Sequence, residues 1–283
     1  MTMKNTFGLR IPSLGEIVQD PEVRRYIEKT LQSVLTTIGA SLPSALTQRV
    51  LTSAKELPLE RYEQEGHEGL HDIPGLIARH LVGRARLAYE QISPYLQGGT
   101  LLDLGCGDGK IGHLAAEEGR KVMLADVYKH PNIDETGLEF HCFGQGEAVP
   151  LDDATVDTTL LLTVLHHSDN PVQTLREAQR VTKPGGNIIV IESVYGIRDN
   201  SPFGKLTEEQ LRRVNIFFDH FYNRVLHYSP DPKSKVNVPY NFNTPEGWRT
   251  IFAQQGLDQM AYVLLGIDQP VVPEYHTLHV LKV

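Results

Sequence analysis

The sequence predicts an α/β chain in which a mostly parallel sheet, covered by helices on both faces, follows a helical appendage. From Gly98 onward, short apolar runs alternate with segments of helical period, the pattern of parallel strands joined by crossover helices. Thr158 to Val164 is nearly all apolar, as a central strand buried on both faces must be. The first hundred residues instead place apolar side chains at helical spacing. These observations divide the chain into residues 1–97, mostly helical, and 98–283, which carry the sheet.

In the appendage, residues 1–19 show no period and read as irregular. Asp20-Pro21-Glu22 starts a helix, with an N-cap acid, proline in the first turn and a second acid behind it. Val23, Tyr26, Ile27, Val34, Leu35 and Ile38 fall on its apolar face, and Gly39 ends it. Pro43 opens a shorter helix. Asp72 and Pro74 open a third, carrying Leu76, Ile77, Leu81, Leu87, Ala88 and Ile92. Between them, His67 and His71 are four apart, but Gly66 and Gly69 argue for a loop, and no third ligand is near. No metal site is assigned.

A chain of 283 residues can bury a substantial core. Its formal charge of −8, with no stripe of Lys and Arg, disfavours a nucleic-acid partner. Two cysteines, Cys106 and Cys142, make no disulfide framework, so a reducing, cytoplasmic compartment is expected. There is no apolar run long enough to span a membrane. A homodimer is compatible with all of this.

Strand one is Leu101 to Leu104, and it runs into Gly105-Cys106-Gly107-Asp108-Gly109 and then a helix from Lys110 to Glu118. Strand, glycine turn and helix N-terminus together make a nucleotide site. A P-loop is excluded, because Leu104 stands where its first glycine should be and Ile111 where its hydroxyl should be. A dinucleotide fingerprint starting at Gly105, directly after the strand, would need a third glycine where Lys110 stands. Strand two, Lys121 to Ala125, ends in Asp126, an acid placed about 20 residues on to accept from ribose hydroxyls. That supports a nucleoside without saying which.

Four segments now carry a resemblance. Asp103-Leu104-Gly105-Cys106-Gly107-Asp108-Gly109 resembles the acidic G-x-G-x-G motif of class I S-adenosylmethionine-dependent methyltransferases. Gly144-Gln145-Gly146-Glu147-Ala148-Val149-Pro150-Leu151 through Asp157 is similar to the G-D-A-E-x-L-P-F segment of their small-molecule members. Leu165-His166-His167-Ser168-Asp169-Asn170-Pro171 resembles their L-H-H-x-x-D-P after strand four, and Lys183-Pro184-Gly185-Gly186 their turn into strand five, Asn187 to Ile191. A dinucleotide oxidoreductase has no reason to carry the last two.

The resemblance implies a Rossmann-like, seven-stranded sheet, completed by an antiparallel pair at Met260 to Ile267 and Tyr275 to Val283. It implies S-adenosyl-L-methionine as cofactor, held by Asp103, Gly105, Cys106, Gly107, Asp126, Val127, Gln145, Gly146, Glu147 and Thr163. Gln145 replaces the usual adenine-binding Asp, but its carbonyl can still accept from an amino group. The acceptor implied is a small molecule. Oxygen is favoured, because His166 or His167 at the end of strand four suits a general base, with Glu192 at the end of strand five as its partner. Residues 196–243 form a helical insertion on the substrate side, where His220, Tyr222 and Arg224 interrupt an apolar helix. Asn237-Val238-Pro239-Tyr240 resembles the signature of amino-methyltransferases but lies after strand five instead of strand four, and is set aside. A non-catalytic cofactor-binding protein is the alternative class.

Overall fold

The structure is a computed structural model that describes residues 3–197, 206–231, 234–267 and 271–283. Of the insertion expected at 196–243, residues 198–205 and 232–233 lie outside the described residues. The strands are β1 (Thr100–Leu104), β2 (Lys121–Asp126), β3 (Glu139–Cys142), β4 (Val156–Leu162), β5 (Thr182–Val194), β6 (Asp258–Gly266) and β7 (Tyr275–Lys282). The helices are α1 (Leu14–Gln19), α2 (Pro21–Thr37), α3 (Pro43–Glu56), α4 (Leu59–Glu68), α5 (Ile73–His80), α6 (Arg84–Ile92), α7 (Lys110–Glu117), α8 (Ile133–Thr136), α9 (Pro171–Val181), α10 (Glu208–His220) and α11 (Pro245–Gln254). They divide between two compact units. One is Met1–Val82, Val194–Thr244 and Gly266–Tyr275, and the other Gly83–Ser193, Pro245–Leu265 and His276–Val283.

The second unit holds most of a seven-stranded sheet in the order β3-β2-β1-β4-β5-β7-β6. β1 pairs in parallel with β2 and β4, β2 with β3, and β4 with β5. Register aligns Leu104 with Ala125, Asp126 with Cys142, and Leu162 with Ile191, so the strands end together. From β1 the chain runs outward to β2 and β3 on one side, then crosses to β4 and β5 on the other. Open α/β sheets hold ligands beyond the carboxyl ends of the strands at such a switch. Leu101, Leu124, Leu160, Ile189 and Leu278 form a core with Tyr89 and Ile92 of α6, and Trp248 and Phe252 of α11 stack in the same unit.

The first unit is helical. Asp20 caps α2, its Oδ1 accepting from the N–H groups of Glu22 and Val23 at 3.1 and 3.3 Å. Ile27, Leu31, Leu35 and Leu51 are buried together with Phe217, Phe218 and Phe221, which accounts for the wide apolar surface of α10.

Three expectations for this region differ from the structure. Residues 1–19 are not wholly irregular, because Ser13 and Glu16 form a capping box that opens α1. The helix expected from Asp72 to Ile92 is two helices, broken between His80 and Arg84, with Gly83 at the start of the second. The supposed loop at Gly66 is helical: a Cβ there would lie 2.7 Å from Val225 Cγ1, so glycine serves close packing. His67 and His71 are each spent on a backbone carbonyl, of Val225 and Glu68 respectively.

Candidate active site

The glycine turn after β1 is tied to β2 before any ligand arrives. Gly105 and Cys106 N–H both donate to Ala125 O, at 2.7 and 3.2 Å. Gly107 N–H donates to Asp126 Oδ2 at 2.9 Å. Gly105 needs its glycine twice over: φ is +77°, and a Cβ would meet Val164 Cγ2 at 2.5 Å. Gly107, at φ +54°, faces open space, which leaves its backbone approachable. Cys106 is buried with the apolar core, so it offers the turn its backbone and not its thiol, and burial pushes that thiol's pKa up.

The start of α7 discriminates between the nucleotide readings. Its N-terminal amides are met by carboxylates of the chain itself: Gly112 N–H donates to Asp103 Oδ2 at 3.2 Å, and Lys110 N–H to Asp108 Oδ1 at 3.3 Å. A dinucleotide places its pyrophosphate at such a helix start. Here that position belongs to acids. Burial, opposed by the Gly112 bond and reinforced by Asp126 and Asp108, pushes Asp103 up to about 7. Asp126 is also raised, chiefly by desolvation. Three carboxylates around one turn favour a ligand that brings positive charge, and S-adenosylmethionine, with an ammonium and a sulfonium, is of that kind. Val127 and Tyr128, apolar yet exposed just past β2, offer a surface for a planar base. The residues present therefore fit this cofactor.

Gln145 and Gly146 lie in an exposed turn, with Gly146 at φ +77°. Glu147 closes that turn by accepting from Gly144 N–H at 3.0 Å. Thr163, at the end of β4, has φ +59°, unusual for a branched residue, and donates its N–H to Ile191 O at 2.6 Å. Strain of this kind gathers at functional turns.

Beyond Thr163, Glu192 organises the turn. Its side chain is fully buried; Oε1 accepts from Val164 and Leu165 N–H at 3.0 and 2.6 Å, and Oε2 lies 2.5 Å from His166 Nδ1. An imidazole that donates from Nδ1 to this carboxylate carries its proton there, the tautomer suited to act as a base at Nε2. The His167 ring lies tilted against that of His166, with ring centroids 4.1 Å apart. The structure thus brings His166, His167 and Glu192 together at the ends of β4 and β5.

Two interactions were not legible in the sequence. Arg180 reaches from α9 to Val149 O and Leu151 O at 2.8 and 2.7 Å, holding the segment after the Gln145 turn. Asp157 accepts from Gly99 and Thr100 N–H, both at 3.0 Å, and pairs with Lys183 Nζ at 2.7 Å. Asp157 lies inside a recognised motif and Arg180 in the helix that follows another, but nothing in spacing alone pairs them.

Residues 102–190 match the family model described as a methyltransferase domain. An uncharacterized protein of Methanocaldococcus jannaschii is 30% identical over 133 residues, 46% of this chain and 60% of that protein. A ubiquinone/menaquinone biosynthesis C-methyltransferase of Klebsiella pneumoniae is 35% identical over 109 residues, 34% of this chain and 43% of the enzyme. The chain thus spans less than two thirds of either relative. Among solved structures, geranyl diphosphate C-methyltransferase from Streptomyces coelicolor superposes with a TM-score of 0.52 at 14% identity, covering 70% of this chain and 77% of that one. That likeness concerns the fold alone. Among the described residues no helix is long and apolar enough to cross a membrane.

Proposed function

We propose that the chain, whose residues 102–190 match a methyltransferase domain, is a class I S-adenosylmethionine-dependent methyltransferase that transfers a methyl group to a small-molecule acceptor, with oxygen as the atom methylated. The observation that carries the choice of oxygen is the buried His166–Glu192 pair at 2.5 Å. A hydroxyl must lose its proton as it is methylated, and a histidine with a carboxylate behind it is suited to take it.

When bound, the cofactor supplies a methyl made electrophilic by its sulfonium. Everything else falls to the chain. Asp126 orients the ribose hydroxyls, Gln145 and the Gly146 amide hold the adenine edge, and Asp103 serves the methionine ammonium. Holding donor and acceptor in line contributes most of the acceleration. His166 Nε2 receives the acceptor's proton, Glu192 steadies the resulting charge, and His167 walls the same spot.

Titration with S-adenosylmethionine tests the shared premise, and an absence of binding would refute it. Turnover of His166→Ala, His167→Ala and Glu192→Ala on a panel of phenols, sugars, quinol precursors and amines tests the base. Unchanged turnover in all three, with cofactor affinity intact, removes the histidines from the chemistry. The similarity to a C-methyltransferase favours a second reading, methylation of a ring carbon on a quinol-like acceptor. Product analysis separates the two.

A further inference from the structure

The turn at Gly144–Glu147 does little to fix its own position. Gln145, Gly146, Glu147 and Ala148 are exposed, and among the described residues the turn's hydrogen bonds are internal. Glu147 N–H donates to Gly144 O, and Gly144 N–H to Glu147 Oε2, both at 3.0 Å. Where the turn sits is therefore set by the chain on either side. Before it comes β3, after which Phe143 N–H donates to Asp126 O at 3.3 Å. Beyond it the chain enters Val149, which is buried.

Val149 is clamped by two side chains of α9. That helix buries Leu175, Ala178 and Val181, while Glu177 and Arg180, three residues apart, pair with each other, Nη2 lying 2.8 Å from Oε2. Glu177 Oε2 accepts from Val149 N–H at 3.1 Å, and Arg180 Nη2 donates to Val149 O at 2.8 Å. Carboxylate and guanidinium thus satisfy both backbone groups of one residue, as a neighbouring strand would. Arg180 Nη1 reaches on to Leu151 O at 2.7 Å and to Asp153 Oδ1 at 2.9 Å. Asp153 is exposed, so that last bond contributes little. Two carbonyls are held by two nitrogens of one planar group, a geometry that a lysine ammonium does not reproduce.

Farther along, Ala154 N–H donates to Arg180 O at 2.9 Å and Thr155 N–H to Val181 O at 2.8 Å. These backbone bonds do not depend on the Arg180 side chain. Its loss frees the end of the segment next to the turn and leaves the other end docked.

A turn that reads the edge of a base must hold its groups in place before the ligand arrives. Adenine offers an amino donor and a ring acceptor, whereas hypoxanthine offers a carbonyl and an N–H at the same two positions. A fixed Gln145 carbonyl and a fixed Gly146 amide meet like groups on hypoxanthine and reject it. A turn free to move forfeits that discrimination.

We propose that Arg180, paired with Glu177, is a positioning residue that fixes the Gly144–Glu147 turn against the adenine edge and so sets the base selectivity of the cofactor site; this rests on the methyltransferase reading above.

The test compares binding of S-adenosylhomocysteine and S-inosylhomocysteine to the full chain by calorimetry, in wild type, Arg180→Lys and Arg180→Met, with Arg176→Met as a control on the same helix. The wild type is expected to bind the adenine compound at least about tenfold more tightly. In the Arg180 variants that ratio should fall at least about fivefold, because affinity for the adenine compound drops while that for the inosine compound stays within about twofold. Arg176→Met should keep the wild-type ratio. Arg180→Lys retains a charge opposite Glu177, and it decides the matter where Arg180→Met does not fold. An unchanged ratio in Arg180→Lys, equal losses for both ligands, the same fall in Arg176→Met, or a wild type without selectivity would overturn the proposal. A wild type that binds neither compound fails the methyltransferase reading, and this inference with it. A wild type that binds both, with a ratio the Arg180 variants leave unchanged, fails this inference alone.

Discussion

Glu192→Gln changes one atom of the buried strand-end pair and makes the most specific test of its role. In the wild type, Oε1 holds the amides of Val164 and Leu165 while Oε2 faces the Nδ1 proton of His166. Glutamine keeps a carbonyl for the two amides but presents an NH₂ to Nδ1. The imidazole must then accept at Nδ1 and carry its proton on Nε2, which turns a base into a donor. General-base catalysis is worth about 10²–10⁴ in rate, or roughly 3–5 kcal/mol of barrier. Replacing a charged acceptor of hydrogen bonds by a neutral one costs stability of about 1–3 kcal/mol. Turnover should therefore fall about a hundredfold or more, with S-adenosylmethionine affinity within a few-fold of wild type. Nitrogen-15 shifts should report the His166 proton moving from Nδ1 to Nε2. Wild-type turnover in a variant whose tautomer has switched would refute the reasoning.

Two further outcomes follow from carboxylates around the glycine turn and β1. Asp103 is raised to about 7 in the folded protein against an ordinary value of about 4, so between those pH values the fold holds a proton that the unfolded chain has lost. Its contribution to stability declines as pH rises through that window, while a cationic cofactor prefers the ionised form. Affinity for S-adenosylmethionine should rise with pH toward and past about 7, with proton release detectable by calorimetry in buffers of different ionisation enthalpy; Asp103→Asn should abolish the release. Asp157→Asn should lower stability by about 1–2 kcal/mol, since three donors from Gly99 and Thr100 lose a charged acceptor while the exposed Lys183 adds little. The wild-type pair with Lys183 holds Asp157 below the usual carboxylate range, so its share is present above about 4 and is lost as acid is added. Urea unfolding of both proteins at neutral and acid pH checks it.

How much was legible from the sequence depended on how local each cause is. The strand ends and the glycine turn were legible because period and glycine spacing act within a dozen residues. Gly66 was misread because its cause is tertiary: Val225, far along the chain, needs the space a Cβ would fill. The break between α5 and α6 had a local marker in Gly83, but an apolar pattern that continues past a glycine reads as one helix. In the site, His166, His167 and Glu192 were visible as residues of the right type at strand ends. The two amides that Glu192 also holds were not, because side chain to backbone bonds leave no mark on sequence period.

Those amides change what the acids mean. Asp126 binds Gly107, Glu147 binds Gly144, Asp103 binds Gly112, and Glu192 binds Val164 and Leu165. Each motif acid thus shapes the turn on which the ligand would rest as well as facing it. An alanine at any of these positions removes a turn and a contact together, so lost activity alone assigns neither. Isosteric amides divide the two roles, because they keep an acceptor for the backbone and change only the charge. On that logic Glu147, with a single partner three residues away and an otherwise exposed carboxylate, should tolerate Gln with cofactor affinity intact. Asp126, whose second oxygen accepts from the Tyr128 amide at 3.3 Å, should not. Equal affinity losses in Glu147→Gln and Asp126→Asn would mean that both turns depend on charge alone.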